Sequence, residues 1–234
     1  MLADARSLII AATPVQKSEL RTIFSEKSEG IRRKLESPPV LRESGWGLQT
    51  SDQARFVRGE LIRVKSHRSA IDLYRDGTLI FSGHISSDYL AWSDTNDLDI
   101  HPLALVEVVV NFTRFYGLVL DDLQRLPERV LFTAEARNLH LEGKNNRLPS
   151  GPIGSDITWK FFATFLQAPE DHWTSAEIQV SSNPFDPDHV AYLLLRELYF
   201  WFGHGEEAIP YLKTDGGRTA VDADQIAGIG RRRR

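Results

Sequence analysis

The chain has no cysteine and a single methionine, Met1, so it offers no disulfide framework, thiolate zinc centre or cysteine nucleophile. The lack of thiols fits a reducing compartment, and a cytoplasmic location is expected. Phosphate-cradling loops are missing too. Gly45-Trp46-Gly47 and Gly203-His204-Gly205 lack the third glycine of a dinucleotide fingerprint, and no P-loop lysine follows a glycine-rich loop. Neither a Gly-x-Ser-x-Gly elbow nor a His-Glu-x-x-His pair occurs. With none of these motifs to hold one, no cofactor is expected. Nor is there surplus positive charge: 28 Lys and Arg face 32 Asp and Glu, for a net charge of −4. Four of the positive charges are Arg231, Arg232, Arg233 and Arg234, so the rest of the chain carries −8. A body that acidic repels the nucleic-acid backbone unless its cations are clustered.

A long uninterrupted apolar run is also lacking. The nearest stretch, residues 103–120, carries Glu107, Asn111 and Arg114, each costly at mid-bilayer. Spaced i, i+4 and i+7, they share one helical face. The stretch reads as a largely buried helix with a narrow polar stripe, in which Glu107 and Arg114 interact across a solvent face. No membrane association is expected, and the apolar run 8–12 is too short for a signal-peptide core.

What is present is the composition of a folded domain. The 234 residues are 41% hydrophobic, 10% aromatic and 26% charged. A chain this long buries roughly 70–75% of its unfolded surface and needs no staple.

Three regions are expected: a strand-and-helix annex over 1–50, an α+β core over 51–212, and a flexible Gly- and Asp-rich tail over 213–234. Thr13-Pro14-Val15-Gln16 has the form of a helix start, with a capping Thr, Pro at the first position and Gln at the third. This predicts a helix from there to about Glu36, stopped by Ser37-Pro38-Pro39. From Phe56 the period becomes two. Residues 60–65, 70–74 and 78–81 read as strands, the last two joined through Asp76-Gly77 as a type I′ hairpin that pairs Leu73 with Ile80. A helix over 103–120, an extended stretch over 130–141, a loop over 143–154, a helix around Trp159 to Leu166 and a short strand over 176–180 follow. Asp186-Pro187-Asp188 then caps a helix running to Phe202. Strands and helices segregate more than they alternate, so the expected class is α+β: a mainly antiparallel sheet on a central hairpin, covered by two long helices.

Few residues are site-like. Asp186, Asp188 and His189 offer carboxylate and imidazole ligands suited to zinc or manganese. Their spacing matches no metal signature, and the two aspartates already serve a helix start. Glu107, Asn111 and Arg114 form either a solvated face or a buried functional stripe. Lys144 and Arg147, in a loop between glycines, suit phosphate contact, as do Arg231, Arg232, Arg233 and Arg234. Such contacts would be weak, non-specific and lost near physiological salt, because ordering a tail costs about 1–2 kcal/mol per residue.

Several stretches in order carry a family resemblance. They are the strand-turn-strand from Ile71 through Arg75-Asp76-Gly77-Thr78 to Phe81, the long apolar helix after it, and the stretch from Val130 ending in Arg137-Asn138-Leu139-His140-Leu141. The last is Asn183-Pro184-Phe185 ahead of Leu193-Leu194-Leu195-Arg196-Glu197-Leu198. Together they resemble the region that follows the nucleic-acid-binding domain in bacterial Schlafen/AlbA-type proteins. The AlbA-type domain and its acidic helix motif have no counterpart here, so the resemblance transfers no catalytic residue. It implies an accessory, non-catalytic interaction or sensing module. Its partner would be a nucleic-acid-processing protein or a second copy of itself, in bacterial defence. The alternative is a metal-dependent hydrolase or nuclease built on Asp186, Asp188 and His189.

Overall fold

Strict apolar alternation builds the principal sheet. The computed structural model describes residues 5–16, 19–20, 29–43, 45–48, 52–94, 97–150 and 163–229. Across this sheet run β11 (Trp173–Thr174), β8 (Arg129–Arg137), β1 (Ser7–Pro14), β5 (Leu79–His84), β4 (Ser69–Tyr74), β3 (Leu61–Lys65) and β2 (Arg55–Val57). A further strand, β12 (Ile178–Ser181), extends the β11 edge by pairing with β8. Every pairing in this sheet is antiparallel. Ile62, Leu73, Leu79, Ala12 and Phe132 are successive cross-strand partners, and so are Val64, Ile71, Phe81, Ile10 and Ala134. All ten are buried. They make one face of the sheet continuous core, and the period of two leaves the other face polar and open.

The hairpin turn sets which residues share that core face. Arg75-Asp76-Gly77 is a three-residue connection, with Tyr74 N–H donating to Thr78 O at 2.8 Å and Gly77 N–H to Tyr74 O at 3.0 Å. Only Gly77 in it has a positive φ, +89°. This is a type I turn with a glycine bulge, not the two-residue I′ turn expected from Asp-Gly. The extra residue shifts the register by one, so Leu73 pairs with Leu79 and Asp72 with Ile80. The shift collects the leucines on the core side and leaves Asp72 on the open side.

Helix α2 (Pro102–Leu120) begins at His101, whose ring accepts from Ala104 N–H, and has proline at its first position. All but Arg114, Gly117 and Leu118 are buried. It is the one described helix long and apolar enough to cross a membrane, and here it lies inside the core. Tyr116 meets Phe132 of β8 edge-to-face at 5.5 Å. Helix α3 (Pro187–Trp201), capped by Asp186, packs along α2. A second sheet, β10 (Phe165–Gln167), β9 (Asn146–Pro149), β7 (Asp97–Ile100) and β6 (Ala91–Asp94), contains one parallel pair, β7 with β9. The class is therefore α+β with predominantly antiparallel sheets.

Several local expectations need correction. Thr13 and Pro14 end β1, paired with Leu131 and Val130, and Val15 N–H donates to Arg129 O at 3.0 Å. Strand pairing outcompetes the capping signature there, and among the described residues the helix is α1 (Glu29–Glu36). Residues 17–18 and 21–28 of the expected helix lie outside the described residues. The expected loop at 143–154 contains β9, and the expected helix at 159–166 ends in β10, its residues 159–162 being outside the described ones. The expected flexible tail instead forms β13 (Leu212–Asp215), β14 (Arg218–Val221) and α4 (Ala223–Gly228). Val221, Ala223 and Ile226 are buried in the core, which ties this segment down.

The turn assignment is testable. A Cβ on Gly77 would sit 2.6 Å from Leu123 Cδ2, whereas a Cβ on Gly59, with φ +71°, meets nothing within 4 Å. Gly77→Ala should cost about 2 kcal/mol in urea denaturation, and Gly59→Ala about 1 kcal/mol. Equal costs would show that no close approach exists at residue 77.

Candidate functional site

The open face of the principal sheet is concave. A groove of about 480 Å³ is lined by Ser7, Ile9, Ala70 and Ser82 along its floor and by Arg63, Lys65, Asp72, His84 and Arg137 among its walls. Its residues come from five strands because cross-strand partners on one face stand side by side. Lys65, Ala70, Ser82 and Ile9 form one row, and His84, Ser7 and Arg137 form the next. Small residues in the first row keep the floor low. The turn carrying Ser66, His67 and Ser69 closes one side, with Ser69 N–H donating to Ser66 Oγ at 3.1 Å and His84 N–H to Arg68 O at 2.8 Å.

Carboxylates preset two of the cations. Arg63 makes a two-pronged contact with Asp72 at 2.5–2.6 Å, and Arg137 with Glu135 at 2.6–2.7 Å. These bonds raise both arginine pKa values and fix their guanidinium planes. Lys65 has no ion-pair partner among the described residues. His84 also stands apart. The other six histidines each have a hydrogen-bonding or ionic partner, whereas the Nε2 of His84 is buried without one. Burial lowers its pKa, opposed by Asp88 and assisted by His67. Ser7, only 1% exposed, likewise keeps a buried Oγ with no partner.

The described residues singled out from sequence make contacts within the fold. Asp186 accepts from His189 N–H at 3.1 Å and lies 3.3 Å from Arg218. Both oxygens of Asp188 are 2.8 Å from Arg114, and His189 Nδ1 is 2.7 Å from Thr219 O. The three therefore face different partners, and no cluster of three metal-ligating side chains exists among the described residues. Arg147 is on a strand, not in a loop, and pairs with Asp99 at 2.6 Å while lying over the Phe165 ring. The Lys144 carbonyl accepts from Arg6 at 3.0 Å. Arg231, Arg232, Arg233 and Arg234 lie outside the described residues.

The polar stripe of α2 is not a solvent face and is not paired within itself. Glu107 is 0% exposed and Asn111 2% exposed. Glu107 is bonded by Arg42 Nε and by Trp46 N–H, the latter at 2.7 Å. Asn111 accepts from Leu41 N–H at 3.1 Å and donates to Trp46 O at 3.0 Å. Arg114 reaches α3 instead, through Asp188. Because Glu107 and Asn111 are enclosed, they need partners from whatever packs on α2, and Leu41, Arg42 and Trp46 supply them. Gly45 is required by this closeness: a Cβ there would stand 2.8 Å from a Glu107 oxygen.

The groove itself escaped sequence reading because its residues are up to 130 positions apart. Its only linear trace is the polar phase of the strands, Ser7, Arg63, Lys65, Asp72, Ser82 and His84, which becomes a site once register is known. No family model and no curated protein matches the chain.

Two expectations follow. Arg42→Met leaves Glu107 buried without its countercharge and should cost about 3–5 kcal/mol. Adding Glu107→Leu should recover more than half of that, and additive losses in the double variant would show that the two side chains are not coupled. His84 favours its neutral form in the fold, so the folded state binds fewer protons than the unfolded one below pH 6.5. Stability should be full above that pH and fall as pH drops through the window down to the lowered folded value. In His84→Gln this part of the acid loss should vanish from pH-dependent melting curves; an unchanged profile would contradict the assignment.

Proposed function

We propose that the chain is a non-catalytic binding and sensing module that acts with a nucleic-acid-processing protein in the bacterial cytoplasm, in defence against foreign DNA. In this reading, the mainly antiparallel sheet on the β4–β5 hairpin, backed by α2 and α3, is a rigid platform whose open face receives the ligand. The observation that carries the reading is the groove. It joins pre-oriented arginines, a lysine with no ion-pair partner among the described residues and two orphaned polar atoms on a sheet face, where paired strands hold each side chain in place. The sequence resemblance supplies the class of partner. The alternative of a metal-dependent hydrolase or nuclease loses support, because Asp186, Asp188 and His189 are each occupied in holding α3.

Affinity purification of the tagged full chain from its native host tests the proposal. A co-purifying protein with nucleic-acid-processing activity, and no turnover by the chain alone on phosphodiester and phosphomonoester substrates, is the expected result. Recovery of the chain by itself, or turnover by it that Asp188→Ala abolishes, would overturn the reading.

A further inference from the structure

We infer that the groove on the open sheet face is a binding site for the phosphate monoester of a small molecule, a mononucleotide or a sugar phosphate. The inference rests on the reading of the groove as a ligand site and names the ligand's chemistry. Three cations, Arg63, Lys65 and Arg137, line the groove against one carboxylate, Asp72. Asp72 is already engaged by Arg63, and Arg137 is held by Glu135 from outside the groove. The uncompensated charge is therefore centred on Lys65 and calls for an anion.

Of the buried polar atoms without partners, two belong to residues that line the groove, and these mark where that anion sits. Ser7 is the direct cross-strand partner of both His84 and Arg137. Ser7 Oγ and His84 Nε2 are buried and unsatisfied, although such groups in native proteins nearly always have partners. A hydroxyl and a neutral imidazole are each able to donate one hydrogen bond. With the guanidinium of Arg137 at the end of that row they form a mixed donor set suited to a group with several acceptor oxygens, and Lys65, further along the face on β3, adds the unmatched positive charge. A phosphate monoester supplies three such oxygens and up to two charges at neutral pH. A carboxylate presents only two oxygens and one charge.

Size and floor settle the rest of the ligand. About 480 Å³ is within the range of small-ligand sites and far exceeds what one phosphate fills. Ile9, Ala70 and Ser82 offer a low, half-apolar floor for an uncharged organic group. Among the described residues, no tryptophan, phenylalanine or tyrosine lines the groove. The described lining thus lacks the stacking rings with which sheet surfaces hold single-stranded nucleic acid.

Calorimetry on the full chain at physiological ionic strength tests this. The titrants are AMP, glucose 6-phosphate, their unphosphorylated counterparts adenosine and glucose, inorganic phosphate, and a single-stranded oligonucleotide. At least one monoester should bind at least tenfold more tightly than its unphosphorylated counterpart and than the oligonucleotide. AMP against glucose 6-phosphate distinguishes the two sources. Lys65→Met and Ser7→Ala should each weaken binding at least tenfold. Ser7→Ala also separates function from structure: deleting an orphaned hydroxyl should leave the melting temperature unchanged or raised while affinity falls. No monoester binding overturns the inference, as does binding indifferent to both substitutions. Tighter binding of adenosine or glucose, with amide shifts at the groove strands in NMR, would overturn the phosphate assignment and leave the groove as a ligand site. Tighter oligonucleotide binding would replace the small ligand with nucleic acid.

Discussion

A carboxylate buried in the core cannot be left unanswered, and α2 carries one in Glu107. Water would otherwise solvate that carboxylate at far lower cost than the interior does. The structure answers it with Arg42 and the backbone of Trp46, and answers neighbouring Asn111 with Leu41 and Trp46. One consequence is specificity of position. An apolar α2 could rotate or slide among its neighbours with little penalty, whereas each register change here would bury unsatisfied groups worth several kcal/mol. Tyr211, whose hydroxyl pKa is pushed up to about 12 chiefly by burial, also senses Arg42 and Glu107 and brings the segment leading into the C-terminal hairpin to the same place.

The clamped segment also lies beside the concave side of the sheet. Trp46 lies against His101, the capping residue of α2, at 4.6 Å between rings, and Trp92 meets the same imidazole edge-on at 4.4 Å. Tyr89 donates its hydroxyl to Gly47 O at 2.8 Å. Gly45, Trp46, Gly47 and Tyr89 share a smaller concavity with Ser66, Arg68 and Ser69, and Ser66 and Ser69 belong to the groove as well. The segment held by the core polar row thus borders the same concavity as the turn at the groove's side. The groove walls gain rigidity a second way, since Arg63–Asp72 is a direct cross-strand pair and Glu135–Arg137 an i, i+2 pair on one strand face. Such pairs in partly solvated sites add modest stability but set orientation.

Much of the fold was legible from residues that are close in sequence. Asp186-Pro187 marked a helix start correctly, because capping is decided within four residues. The β4 and β5 strands were legible from alternation, but their register was not. Asp-Gly serves both a two-residue turn and a bulged three-residue one, and burial of Leu73 with Leu79 chooses between them. Thr13-Pro14 misled for the opposite reason: a sound local cap was overridden by pairing with residues 130 and 131. The α2 stripe was located from spacing, yet its environment depended on Arg42 and Trp46, some 60 residues away. The groove was illegible altogether, since adjacency across β1, β5 and β8 is a property of topology and no local pattern encodes it.

The buried polar row of α2 clamps Leu41, Arg42 and Trp46 as firmly as the core itself. Native-state hydrogen exchange of the Trp46 amide, which donates to Glu107, measures this. This amide should exchange only through global unfolding, with the same free energy and denaturant dependence as amides in the middle of β5. Exchange of Trp46 through a local opening several kcal/mol below global unfolding would contradict it.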